Sequence, residues 1–152
     1  MSGRILKDYN ELQAKSKELG VTLILPNEAN IAVWNVIIDG PAGTAYEKGK
    51  FTVEVDLRDS FPLKCPKVRF KTPIYHPNVF LEKEHAGEIC DLFIKDQWNP
   101  ILNVKWAIEQ VIKLIKYPDI GSALETKIAE QCKTNFDEFL ATARKYTQEY
   151  AK

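Results

Sequence analysis

The sequence predicts an α+β domain. It expects an N-terminal helix, a four-stranded antiparallel meander, an irregular active loop, then a buried central helix and two C-terminal helices, all within one domain spanning residues 1–152. Three observations carry this expectation. A helical apolar stripe opens the chain. Four short strand-like runs follow, joined by turn-formers too short to hold crossover helices. A strongly apolar helical segment then comes after a long stretch of no clear periodicity.

In order, Ile5, Tyr9, Leu12 and Leu19 share one face at helical spacing, Ser16 fills the gap between them, and Gly20 supplies a stop. Arg4 and Lys7 sit in the first turns, where the helix dipole favours acids. They read either as solvated charges or as a docking face for an acidic partner. The strand runs are Val21–Leu25, Ile31–Ile38, Phe51–Leu57 and Val68–Phe70. In the third, Phe51, Val53, Val55 and Leu57 alternate with Thr52, Glu54 and Asp56, the pattern of a strand with one wet face. Turn-rich connections at Pro26–Glu28, Asp39–Gly43 and Phe61–Pro66 separate them. Val104–Ile115 is apolar on almost every side, with Asn103 as its cap, and is expected to be buried all round. Tyr117–Gly121 breaks the chain. Ser122-Ala123-Leu124-Glu125 fits a capping box opening a third helix, and Thr134-Asn135-Phe136-Asp137 starts a fourth whose apolar side includes Phe136, Phe139, Leu140, Ala143 and Tyr150.

At 152 residues, 45% hydrophobic and 28% charged, the chain has the make-up of an ordinary globule. Twenty-one basic side chains balance twenty-one acidic ones, so no general affinity for nucleic acid or anionic lipid is expected. No apolar run reaches bilayer length, and Met1–Ile5 does not open a secretory signal. The three cysteines, Cys65, Cys90 and Cys132, are then expected to be free thiols in a reducing compartment, the cytoplasm or nucleus. No metal or cofactor site is expected, because a zinc site would have to be assembled from Cys90, His76, His85 and a carboxylate at irregular spacing.

The segment from Tyr75 to Pro100 holds both histidines and one cysteine. A long irregular segment in a small domain is commonly functional, and the apolar groups in this one predict that it packs down as an ordered loop around Cys90. Cys65 and Cys132 read as small hydrophobes. Cys90, flanked by Gly87, Glu88 and Asp91, reads as an exposed thiol in polar surroundings. Adjacent carboxylates do not favour a thiolate, which argues against a cysteine hydrolase. His76, ahead of Pro77, is either a structural ring bonded to loop backbone or a base for Cys90. His85 is expected to be solvated. The Asn78 amide can donate to an oxyanion or tie a turn.

Tyr75-His76-Pro77-Asn78, the later Gly87-x-Ile89-Cys90 and Gln97-Trp98-Asn99-Pro100 together resemble the active-site block of ubiquitin-conjugating enzymes. The resemblance covers essentially the whole chain, through Trp34, Gly40-Pro41, Tyr46-x-x-Gly49-x-Phe51 and Pro66-Lys67-Val68-x-Phe70. It implies that Cys90 accepts ubiquitin or a ubiquitin-like protein from an activating enzyme as a thioester. Transfer to a substrate lysine or a ligase cysteine would follow. It implies a structural role for His76 and an oxyanion or loop-supporting role for Asn78. It assigns Arg4 and Lys7 to activating-enzyme binding, and Leu63, Pro100 and Ile101 to the docking of RING- or HECT-type ligases. Three departures stand out. The acid after the cysteine, Asp91, precedes Leu92 where many members have the reverse order. The acidic gate before the third helix falls on Ser122, and Phe80–Ala86 is longer than is common. The rival expectations are a non-catalytic ubiquitin-binding scaffold of the same fold and a hydrolase using Cys90 with His76.

Overall fold

The computed structural model describes residues 3–152. Helix α1 (Gly3–Leu19) leads through Gly20 directly into β1 (Val21–Ile24), followed by β2 (Val33–Asp39), β3 (Lys50–Asp56) and β4 (Lys67–Phe70). The four strands form one antiparallel sheet in chain order, as the short connections require. Register follows the alternation of the sequence. Trp34, Val36 and Ile38 pair with Val55, Val53 and Phe51, and all six are buried on one face. Asn35 and Glu54 pair on the other face, where both are half-buried. A one-residue slip would exchange these faces, so the buried set fixes the pairing.

Helices α2 (Val104–Lys116), α3 (Thr126–Thr134) and α4 (Phe136–Tyr150) complete the chain, with single 3-10 turns at Lys83–His85, Asp91–Phe93, Lys95–Gln97 and Ile120–Ser122. One apolar cluster takes in Leu12 of α1, the inward sheet residues, Ile108 and Val111 of α2, and Phe139 and Ala143 of α4. Trp34 anchors it. Its ring meets Tyr9 edge-on at 5.3 Å, and its indole N–H donates to the Ile31 carbonyl at 2.6 Å. No helix among the described residues is long and apolar enough to cross a membrane.

Three sequence expectations need correction. First, α2 is not buried all round. Val104, Ala107, Ile108, Val111, Leu114 and Ile115 face the core, while Trp106 and Ile112 are half-buried and Lys113 and Lys116 reach solvent. Second, Ser122 does not cap α3. That helix starts four residues later, with Glu125 at the cap position and no capping side-chain bond. The Asn103 cap of α2 does form, with its Oδ1 accepting from the Trp106 N–H at 2.7 Å. Third, Phe136 and Tyr150 are exposed rather than part of the apolar side of α4.

Candidate active site

The irregular stretch is an ordered ledge built on the free edge of β4. Gly87 brings the chain onto that edge. Its N–H donates to the Phe80 carbonyl at 2.7 Å, and its carbonyl accepts from the Phe70 N–H at 2.9 Å. Gly87 has φ of +88°, and a Cβ there would lie 1.9 Å from the Phe70 carbonyl oxygen. Only glycine fits such an approach. Beyond it, the Phe80 N–H donates to Glu88 O at 2.9 Å and the Cys90 N–H to Asn78 O at 3.1 Å, with a bridge between Val79 and Ile89. The two halves of the motif, His76–Phe80 and Gly87–Cys90, are thus an antiparallel pair.

The expected open thiol is not what this pairing produces. Cys90 keeps only 9% of its surface accessible, and Asn78 and His76 keep none. The charged neighbours are a poor guide to the cysteine. Glu88, two residues earlier, shares a side with Cys90 in a paired segment, yet it is exposed like Asp91, so neighbouring charge does not report the burial of the thiol. Asp91 turns outward within 3.9 Å of Lys95, and Leu92 is half-exposed beside it. Cys90 nonetheless stays outside the main apolar cluster, which includes Cys132. Burial pushes the thiols of Cys65 and Cys132 up to about 11, so both remain protonated and inert.

His76 is held on both sides. Nδ1 accepts from the Asn78 N–H at 3.0 Å. The other nitrogen, Nε2, lies 2.8 Å from the Leu114 carbonyl and must carry the proton it donates. Burial drives the ring down to about 4, so it is neutral at neutral pH. The unfolded ring titrates near its ordinary 6.5. The ring therefore contributes its full stabilisation above that value, and loses it as pH falls from 6.5 toward 4. Moving from pH 7 to pH 5 will cost about 2 kcal/mol through this one side chain. Urea denaturation at the two pH values checks this. A His76→Gln chain will lack most of the difference, and an equal loss in that variant would assign the effect to other groups. His85, by contrast, is exposed, with Glu88 at 2.7 Å and Glu84 at 4.0 Å.

The Asn78 side chain is fully occupied. Its amide nitrogen donates to the carbonyls of Asp119 at 2.8 Å and Ser122 at 3.0 Å, and its Oδ1 accepts from the Asp119 N–H at 2.8 Å. Both amide protons go to backbone, which leaves none for an oxyanion in this arrangement. The Pro77 carbonyl accepts from the N–H groups of Leu124 and Glu125, and the Glu125 carboxylate accepts from the Leu81 N–H at 3.0 Å. The 119–125 segment is therefore clamped onto the ledge from Pro77 to Leu81. Ser122 sits half-buried in that segment at the end of the Ile120–Ser122 turn. Sequence reasoning finds in Glu125 only half of a capping box, because its bond to Leu81 carries no local signal.

Two further loops converge on each other. The Trp98 indole N–H donates to Pro62 O at 3.0 Å, and its ring lies 5.8 Å from Phe61. This leaves Leu63 and Ile101 at 78% and 93% exposure, an unusual degree for large apolar side chains. Lys7 is exposed. Arg4 is not a solvated charge. Its Nε bonds Asp8 at 2.9 Å, its two terminal nitrogens bond the carbonyls of Pro100 and Leu102, and it lies over the Phe61 ring at 5.3 Å. Asp8 escapes sequence reasoning, although a signal exists: position 8 falls in the apolar stripe between Ile5 and Leu12, where a carboxylate needs a partner. Among the described residues, no three His, Cys, Asp or Glu side chains lie together to hold a metal ion.

A helix, a four-strand meander and three further helices around a cysteine-bearing ledge define a protein of the ubiquitin-conjugating fold. The chain belongs to the ubiquitin-conjugating enzyme family: residues 4–147 match the model for "Ubiquitin-conjugating enzyme". It is 35% identical over 148 residues to ubiquitin-conjugating enzyme E2 N of Drosophila melanogaster, covering 97% of this chain and 94% of that one. It is 32% identical over 149 residues to ubiquitin-conjugating enzyme E2 27 of Arabidopsis thaliana, covering 98% and 76%. A solved Toxoplasma gondii ubiquitin-conjugating E2 domain superimposes with a TM-score of 0.84 at 30% identity, over 98% of this chain and 97% of that one.

Proposed function

We propose that Cys90 carries ubiquitin or a ubiquitin-like protein as a thioester between an activating enzyme and an acceptor. The Cys90 thiolate attacks the thioester carbonyl on the activating enzyme. A new C–S bond forms, and the enzyme's thiolate leaves. A substrate lysine amine or a ligase thiol then attacks the same carbon, displacing the Cys90 sulfur. With lysine, the amine's proton passes to solvent.

The observation that carries this reading is that the one histidine beside Cys90 in the paired ledge has no ring nitrogen to spare. A cysteine hydrolase needs a base next to its nucleophile. A carrier is served by the lack of one, because water is not activated against the stored thioester. His76 and Asn78 are then supports, holding the ledge and the 119–125 segment. Ser122 and Asp91 border the approach of the acceptor, and the absence of an acid at 122 leaves lysine desolvation to the cleft walls. Lys7 fits the activating enzyme, and Leu63, Pro100 and Ile101 fit a ligase.

The test is charging in the presence of an activating enzyme, ATP and the modifier, run with ubiquitin and with each of its relatives. The wild-type chain will gain a reducible adduct. Cys90→Ser will hold the modifier through an ester that survives reductant, and Cys90→Ala will hold none. A wild-type adduct that persists in Cys90→Ala would overturn the reading, and binding of ubiquitin without any adduct would favour the scaffold.

A further inference from the structure

Arg4 reaches from α1 to the loop that ends in α2, and it is one of three polar residues doing so. Arg4, Asp8 and Glu11 lie at i, i+4 and i+7, hence on one helical face. Asp8, only 1% exposed, accepts from Arg4 at one oxygen and from the Val104 N–H at the other, at 3.0 Å. Glu11 accepts from the Asn103 amide at 2.6 Å. A buried carboxylate so placed satisfies an orphan donor at the start of α2 and neutralises the guanidinium beside it. The guanidinium then grips the Pro100 and Leu102 carbonyls, on either side of Ile101, the most exposed large apolar side chain described.

We propose that Arg4, braced by Asp8, is a positioning residue that holds the Asn99–Asn103 loop so that Ile101 and Pro100 are presented to a ligase in one fixed geometry. This rests on the docking reading above. It departs from the role that the family resemblance implies for Arg4, which here acts through the loop instead of offering its charge to an activating enzyme. Fixing a loop in its bound shape before contact lowers the ordering cost of binding. The planar fork is what the site uses, because two carbonyls and a carboxylate are gripped in different directions. A lysine ammonium keeps the charge but not that geometry.

Arg4→Lys separates the two roles, with Arg4→Ala beside it and thermal melting to show that both fold. Amide exchange is read at Leu102 and Val104, and ligase-stimulated discharge of the loaded Cys90 is measured as a function of the loaded chain's concentration, with a ligase domain that accelerates discharge of the wild-type chain. Both variants are expected to exchange about tenfold faster at those amides. Both are also expected to show a KM for ligase-stimulated discharge raised about tenfold, the worth of one charge-assisted hydrogen bond, with the loss falling on KM rather than kcat. Arg4→Lys matching wild type in both assays would overturn the proposal in favour of a plain docking charge. Faster exchange with an unmoved KM would overturn it in favour of a purely structural tie. A wild-type chain that no activating enzyme charges would end the functional reading itself, an outcome distinct from either.

Discussion

Asn78→Ala will destabilise the protein by roughly 3 kcal/mol and slow discharge of a loaded Cys90 to free lysine by about a hundredfold. The stability loss follows from what the truncation strands. Asp119 N–H, Asp119 C=O and Ser122 C=O all lose their partner, in a place where Asn78 itself has no exposed surface. Buried polar groups left without partners cost on the order of 1–3 kcal/mol each, reduced where the freed loop can reach water. The rate loss follows from position. The 119–125 segment is tied to Asn78, whose carbonyl holds the Cys90 N–H, and under the proposed function a displacement of about 1 Å near a reacting centre can cost two orders of magnitude. Urea denaturation paired with single-turnover discharge measures both. A variant that kept full stability while losing rate would mean that the amide serves the transition state directly, and the loop-holding role would be abandoned.

Gly87→Ala will cost about 4 kcal/mol and uncouple the Cys90 segment from the sheet. The added methyl meets the Phe70 carbonyl oxygen at 1.9 Å, a backbone atom of β4 that cannot rotate aside. Relief requires the ledge to lift, breaking the Phe70 N–H to Gly87 O and Gly87 N–H to Phe80 O bonds. Gly43 provides the control. It has φ of +82°, and a methyl group added there would meet nothing within 4 Å. Gly43→Ala therefore carries only the conformational cost of about 1 kcal/mol. The difference between the two variants isolates the clash. Chemical denaturation gives the stabilities, and exchange at the Phe70 amide reports the ledge. Equal losses at the two positions would show that the ledge yields freely.

The fold was legible where burial sets a period. Phe51, Val53 and Val55 announced both their strand and its inward face, because a half-buried strand cannot hide its alternation. The site was legible in part. The sequence leaves His76 open between two roles, and its burial with both nitrogens bonded speaks for the structural one. Contacts between residues far apart in the chain were not legible. Ser122 satisfies a local capping pattern, yet Pro77 and Asn78, more than forty positions earlier, hold that segment in a turn instead. Arg4 looks solvated in the sequence because its carbonyl partners lie 96 and 98 residues away. Cys90 looks exposed because its charged neighbours Glu88 and Asp91 are, and its burial comes from packing that those neighbours do not report.

The pairing of Cys90 N–H with Asn78 O, together with Phe93 N–H on Cys90 O, fastens the main chain on both sides of the sulfur. One side-chain torsion is then all the freedom the nucleophile keeps, and it comes in three staggered steps. Such a sulfur cannot go to meet its electrophile. Under the proposed function the modifier's tail would have to be brought to the sulfur through the little surface that Cys90 leaves open, so a thick or branched residue next to the reacting carbonyl would be turned away before any chemistry began.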